Sequence, residues 1–320
     1  MNILITGGAG FIGAWLAKAL HERGDVVTVI DDFSSINYRA QIKEARVEAL
    51  LSGVNVVRGS ILDVSLMVRL LKDKPYDCIV HFAAAPGVRY SSREPLTYAR
   101  VNVEGTTAVF ESAKQAGVNW VVYASSSSVY SMVQDIPFNE NHSIEKVTSI
   151  YAATKRATEL IAGTYWLTAR IKSTGVRFFN VYGPWGRPDT LPYIVSNAIF
   201  NHAPIELKWE GNIARDFTSV HDIVRGVISV IGHPEAECEL VNFGNSHPIL
   251  LKELVSRLEA IIGIDAIVKS EHAIPREDPI NTYADIKLAK LKYGWEPCVS
   301  LDEGLKELAE WHKKYYRADY

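Results

Sequence analysis

The stretch N-I-L-I-T-G-G-A-G-F-I-G, Asn2 to Gly13, decides the fold. Ile3 to Thr6 is a short apolar run that reads as a buried strand, and Phe11 opens a segment of helical period reaching Arg23. Gly7, Gly10 and Gly13 lie at the junction. Glycines there permit a tight turn and let backbone N–H groups and a helix N-terminus approach a pyrophosphate. Val26 to Ile30 reads as the next strand and runs into Asp31 and Asp32. A carboxylate at that place accepts a hydrogen bond from an adenosine ribose and repels a 2′-phosphate, so NAD is expected over NADP.

Outward from this unit the pattern repeats. Val54 to Arg58, Cys78 to Phe82, Trp120 to Ala124 and Thr174 to Phe179 read as further strands. Helical periodicity fills the intervals at Arg39–Leu51, Val64–Leu71, Pro95–Ala116 and Tyr151–Ala169. Near-continuous apolar, β-branched strands imply burial on both faces and hence a parallel sheet. The alternation predicts an α/β, doubly wound (Rossmann) fold.

After Phe179 the character changes, with Pro184, Gly186, Pro188 and Pro192 close together as in irregular chain over a site. Helices are expected at Leu191–His202, Val220–Ile231, Leu250–Ile262, Ile286–Tyr293 and Ser300–Tyr316. The division expected is a cofactor-binding domain over 1–179, with 217–245 returning to it. Residues 180–216 and 246–320 then form a smaller, mostly helical substrate-binding lobe.

The 320 residues are 48% apolar with a net charge of −3, which gives no electrostatic footprint for nucleic acid or an anionic membrane. Cys78, Cys238 and Cys298 are too far apart for a zinc site or a disulfide framework, so no metal is expected. No apolar stretch approaches the ~18 residues of a membrane span, and with the first strand read from Asn2 no leader is expected. A cytoplasmic protein is expected.

Chemistry enters at S-I-Y-A-A-T-K, where Tyr151 and Lys155 stand one helical turn apart on one face. An ammonium so placed is expected to lower the phenol's pKa from its usual ~10. A phenolate beside a nicotinamide takes the proton of an alcohol while hydride leaves its carbon. Ser126, in the upstream run A-S-S-S-S-V-Y, completes the expected catalytic set. Arg187 falls in the proline-rich loop just after the last expected strand, at the carboxyl end where such sheets bind ligands. A guanidinium there forks onto a carboxylate or phosphate.

These motifs together resemble the extended short-chain dehydrogenase/reductase family over nearly the whole chain. Also similar are H-F-A-A at 81–84, N-V-E-G-T at 102–106 and R-D-F-T-S-V-H-D at 215–222. The resemblance implies that Phe11 and Ile12 join the glycines at the cofactor, that Ala83 and Ala84 line its nicotinamide side, and that Asn102 supports the site. Ser60, where the family usually has an acid, and Ile61 fall at the adenine.

Three segments narrow the resemblance to nucleotide-sugar epimerases, UDP-glucuronate 4-epimerases above all: A-A-A-P-G-V-R-Y-S at 83–91, Y-A-A-T-K-R-A at 151–157 and R-F-F-N-V-Y-G-P-W-G-R-P-D at 177–189. It implies a homodimer and a UDP-sugar held by Gly87, Val88, Arg89, Ser127, Ser128, Asn180, Arg187, Arg215 and Asp278. Dehydratases of the family carry an Asp-Glu pair in the serine run, and decarboxylases a Glu directly before Val-Tyr. Ser128 stands before Val129-Tyr130, so neither acid is present. Asn180 departs from the Thr usual in the uronate epimerases and matches neutral-hexose epimerases and the decarboxylases. Both remain alternatives, as does a non-enzymatic dinucleotide sensor, although such proteins generally lose the Tyr/Lys pair.

Overall fold

The computed structural model describes residues 1–271 and 279–315. Successive residues of the first strand serve opposite layers. Ile3 and Ile5 point into one core with Val27, Val29, Val80 and Val122, while Leu4 joins Ile30, Ile79 and Val121 in another. Burial on both faces is why these strands are almost wholly apolar. Helices Phe11–Glu22 and Val220–Ile231 cover the first face. Helices Val64–Asp73, Gly105–Ala116 and Ile150–Ala169 cover the second.

The central sheet has seven parallel strands in the spatial order Cys238–Phe243, Lys172–Phe178, Trp120–Ser126, Cys78–His81, Asn2–Thr6, Val26–Asp31 and Asn55–Arg58. Strand order reverses between Asn2–Thr6 and Cys78–His81. Beyond their carboxyl ends the connections diverge and leave a crevice. The expected doubly wound sheet is thus observed.

Three features were not anticipated. Strand Cys238–Phe243 closes one edge by pairing with Lys172–Phe178. The helix expected over Pro95–Ala116 is interrupted by a π turn at Ala99–Glu104. The C-terminal part carries helices Leu191–Phe200, Leu251–Ile262 and Leu301–Tyr315, but also short strands. Pro204–Lys208 pairs with Ile267–Glu271, and Ala214–Asp216 lies between Pro248–Leu250 and Asn281–Thr282.

One buried pair fixes the helix Ile150–Ala169 on the sheet. Arg177, on strand Lys172–Phe178, donates Nε to Glu159 Oε1 at 2.7 Å and Nη2 to Oε2 at 2.9 Å, with both side chains almost fully enclosed. Ser125 and Arg156 add bonds to the same carboxylate. Burial alone would raise the Glu159 carboxyl, but Arg177 and these partners bring it below the usual range. Arg177→Met should therefore destabilise the protein by about 3–5 kcal/mol, because Glu159 is left buried without its partner. Replacing Glu159 with Leu as well should recover most of that loss. Urea denaturation of the three proteins checks this, and equal stability of single and double variants would refute it.

Candidate active site

The glycine turn forms the floor of the crevice. Gly7 takes φ +71°, and a Cβ there would lie 2.6 Å from Ala83 N, so the turn packs directly on the end of the neighbouring strand. A Cβ on Gly13 would lie 2.3 Å from Gly7 O. No side chain caps the helix that begins at Phe11, which leaves its N-terminal amides for a ligand anion. Asp31 is buried at the end of its strand, accepting Ala9 N at 3.2 Å and Phe33 N at 2.8 Å. Lys43 Nζ sits 3.0 Å from Asp31 and 3.8 Å from the more exposed Asp32. A close-packed glycine turn, an uncapped helix and a terminal carboxylate fit a dinucleotide.

From there a cleft of about 940 Å³ runs past both strand ends. Its wall includes the expected cofactor residues Gly7, Gly10, Phe11, Ile12, Gly13, Asp31, Asp32, Ser60, Ile61, Ala83 and Ala84. Further along the same cleft stand Gly87, Val88, Arg89, Ser126, Ser127, Ser128, Tyr151, Lys155, Asn180, Arg187 and Arg215. Beside Ser60 and Ile61, Asp63 caps the helix Val64–Asp73 by accepting from Leu66 N at 2.9 Å. Asp278 lies outside the described residues.

Asn102 is the exception among the expected residues, for it is buried behind the wall rather than on it. The π turn brings its amide inward, where Oδ1 accepts Ala85 N at 2.7 Å and Nδ2 donates to Ala85 O at 3.0 Å. Nδ2 also donates to Thr154 Oγ1, on the helix between Tyr151 and Lys155. One side chain thus ties the 83–87 loop to the catalytic helix. A π insertion is a common device for re-aiming a residue at a site.

Ser149 caps that helix by accepting Ala152 N at 3.1 Å, which places Tyr151 in its first turn. The positive end of the helix favours an anion there. Lys155 Nζ donates to Ala124 O at 2.9 Å and lies 6.0 Å from the centroid of the Tyr151 ring. Ser126 accepts from Ser128 through both N and Oγ, at 3.2 and 3.0 Å.

The electrostatics of the reacting centre add a second cation to the one expected. Burial pushes the Tyr151 phenol above its ordinary value; the Arg187 charge and the Ser126 hydrogen bond pull it back, and Asp189 opposes them. Arg187 is a cation that favours the phenolate here, beside the Lys155 that the sequence pointed to. Burial, with Arg187 nearby, lowers Lys155 itself to about 8, while Glu159 acts the other way.

Arg187 is paired bidentately with Asp189, Nε to Oδ1 at 2.9 Å and Nη2 to Oδ2 at 2.6 Å. Both face Gly87, whose missing Cβ would lie 3.4 Å from Arg187 Nη2 and 3.2 Å from Asp189 Oδ2. Asn180 Nδ2 donates to Asp216 O, and Arg215 Nη1 donates to the carbonyls of Ala214 and Pro279. Sequence reasoning missed Asn37, Tyr38, Lys43 and Asp189, all on the cleft wall. Asp189 had a visible signal, since an acid two residues from an arginine in a rigid loop is its natural partner.

A family model described as NAD dependent epimerase/dehydratase matches residues 3–244. UDP-glucuronate 4-epimerase 3 of Arabidopsis thaliana is 37% identical over 334 residues, which cover 98% of this chain and 77% of that protein. The crystal structure of a UDP-glucuronic acid 4-epimerase from Bacillus cereus, in complex with UDP-glucuronic acid and NAD, superposes with a TM-score of 0.91. It is 30% identical and the match covers 99% of this chain and all of that one. A UDP-glucose 4-epimerase from Thermotoga maritima, with UDP-glucose, is also 30% identical, with a TM-score of 0.89 and the same coverage.

The lowered Lys155 has a stability consequence. Below pH about 8 the folded protein keeps a charged ammonium that burial disfavours; the cost disappears as pH rises towards the ordinary value of 10.5. Lys155→Met should therefore be more stable than the parent at pH 7, by up to ~3 kcal/mol, and melt at a higher temperature. The gap should narrow between pH 8 and 10.5 while activity stays abolished. Calorimetric melting across that range checks it, and a variant that melts lower at pH 7 would refute it.

Proposed function

The chain belongs to the NAD dependent epimerase/dehydratase family, and we propose that it is an isomerase that inverts C4 of a UDP-sugar, specifically interconverting UDP-glucuronate and UDP-galacturonate. The observation that carries the sugar assignment is the place of Arg187. It is close enough to Tyr151 to be the leading charge acting on the phenol, and Asp189 holds it in a fixed orientation. A uronate carries its carboxylate on C5, next to the reacting C4. Asp189 occupies one edge of the guanidinium and leaves Nη1 for that carboxylate.

Tyr151 accepts the proton of the C4 hydroxyl, and Ser126 hydrogen-bonds the same oxygen. Lys155, braced by Ala124 O, holds the nicotinamide ribose. Bound NAD supplies an acceptor for the C4 hydride, a donor that returns it to the other face, and a positive ring beside the phenol. Between the two transfers the 4-keto sugar turns about its diphosphate, and Tyr151 then returns the proton to the inverted alkoxide. The cofactor ends as it began, so the net reaction is isomerisation.

At the keto stage the substrate is a β-keto acid, whose C5–C6 bond breaks readily with loss of CO2. The electron pair of that bond must overlap the carbonyl π-system for this to happen. Arg187 opposes it by holding the carboxylate out of alignment, and Ser127 and Ser128 offer further donors. UDP-glucuronate and UDP-galacturonate should thus interconvert with little UDP-pentose, and Arg187→Ala should raise the pentose share. Chromatography of the nucleotide sugars reads both. Efficient epimerisation of UDP-glucose with UDP-glucuronate untouched would overturn the assignment in favour of a neutral hexose, with Asn180 as its determinant.

The helices Pro95–Tyr98 and Ile150–Ala169 leave Leu96 84%, Leu160 58% and Leu167 71% exposed. Three leucines on neighbouring helices are poorly matched to water, and a two-fold copy of the same surface would bury them. Light scattering at micromolar concentration should report a dimer, and Leu160→Glu with Leu167→Glu should give a folded monomer. A monomeric parent would refute this interface.

A further inference from the structure

Arg46 is wholly buried on the helix Gln41–Leu50, yet it forms no ion pair among the described residues. Its guanidinium gives four N–H bonds to neutral oxygens instead. Nε donates to Trp185 O at 2.8 Å and Nη2 to Gly186 O at 3.0 Å. Nη1 donates to Ala9 O at 3.4 Å and to the Tyr38 hydroxyl at 3.1 Å. Ala9 lies within the glycine turn, Tyr38 is on the cleft wall, and Trp185 and Gly186 directly precede Arg187.

A buried cation without a counter-ion is costly, and a neutral side chain would fill the space more cheaply. What the guanidinium adds is reach: a rigid planar fork with donors on three nitrogens spans segments that no other side chain could join. The loop it holds is itself strained. Trp185 is buried at φ +60°, a left-handed value that a bulky residue seldom adopts, and its ring packs on Trp311 and Tyr315. Carbonyl contacts from Arg46 help maintain that conformation and so set where the next residue but one, Arg187, projects.

We propose that Arg46 is a positioning residue that couples the two halves of the cleft, fixing the Arg187 loop against the dinucleotide turn so that NAD bound on one side orders the sugar-binding side. The sugar part of this coupling rests on the function proposed above. Lysine at 46 would keep the charge, but its three donors share one nitrogen and lack the spread with which the guanidinium reaches all four oxygens.

Two measurements test it. In the parent protein, NAD alone should slow amide hydrogen exchange across residues 183–190, and Arg46→Lys should lose that protection while still binding NAD. The second is a double-mutant cycle with Arg187→Ala, carried in a Tyr151→Phe background so that UDP-glucuronate affinity is read by calorimetry without turnover. Arg46→Lys should weaken UDP-glucuronate about tenfold when Arg187 is present and less than about twofold when it is absent. Equal losses in both backgrounds, no loss in either, or an exchange pattern in the parent indifferent to NAD would overturn the proposal. The exchange arm uses no sugar and no variant for its first reading, so it survives both a misfolded Arg46→Lys and a wrong sugar. NAD-dependent protection with no uptake of UDP-glucuronate would sink the uronate reading and leave the coupling standing.

Discussion

Glu159 and Arg177 meet where neither charge has water, and the placement of the reacting groups follows from that contact. Glu159 is one turn beyond Lys155 and two beyond Tyr151, so fixing its carboxylate fixes the rotation of the helix that carries all three. The partner comes from the sheet strand next to the one that ends in Ser126. Helix and strand are thereby locked in both angle and height, and Ser126, Tyr151 and Lys155 arrive at the same end of the cleft. A pair of apolar residues would hold the layers together as well, but without directional bonds it would leave the helix freer to rotate. Tyr130 extends the lock, its hydroxyl accepting from Arg177 Nη1 at 2.6 Å and donating to Asn242 at 2.9 Å.

Much of this was legible in the sequence because the physics there is local. The strands Asn2–Thr6 and Cys78–His81 need apolar residues on both faces, and the turn at Gly7 tolerates nothing larger, so residue type alone betrays them. What escaped reading depends on contacts distant in the chain. Strand Cys238–Phe243 mixes Glu239 and Asn242 with its apolar residues, because it is an edge strand whose polar side chains find partners in other segments. The π turn at Ala99–Glu104 has no periodic signature, since one inserted residue shifts the phase of an otherwise continuous helix. Lys43 and Arg46 have residue types that ordinarily face solvent. Only the structure shows that these two side chains turn inward against the cofactor turn.

The charges around the reacting centre oppose one another in a way that residue types alone do not reveal. Arg187 stabilises the phenolate and destabilises the Lys155 ammonium at the same time. Asp189 moderates the first effect while it orients the guanidinium. Arg187 and Lys155 thus stand near each other in low dielectric with Asp189 beside them, an arrangement that costs the fold stability and suits a ligand bringing negative charge of its own.

The late arrival of strand Cys238–Phe243 bears on how the chain is made. Until residue 243 has left the ribosome, strand Lys172–Phe178 presents an unpaired backbone edge to its surroundings. The intervening segment, with the Arg187 loop and the helix Leu191–Phe200, must be set aside during that interval and then close over a sheet already formed. Translating the intervening segment takes seconds at ~5–20 residues per second, longer than such pairing itself needs, so the edge stays open until its partner is made. The half-made protein thus carries its dinucleotide turn before its sugar loop is fastened, and the turn lies open to cofactor ahead of the segment that closes beside it.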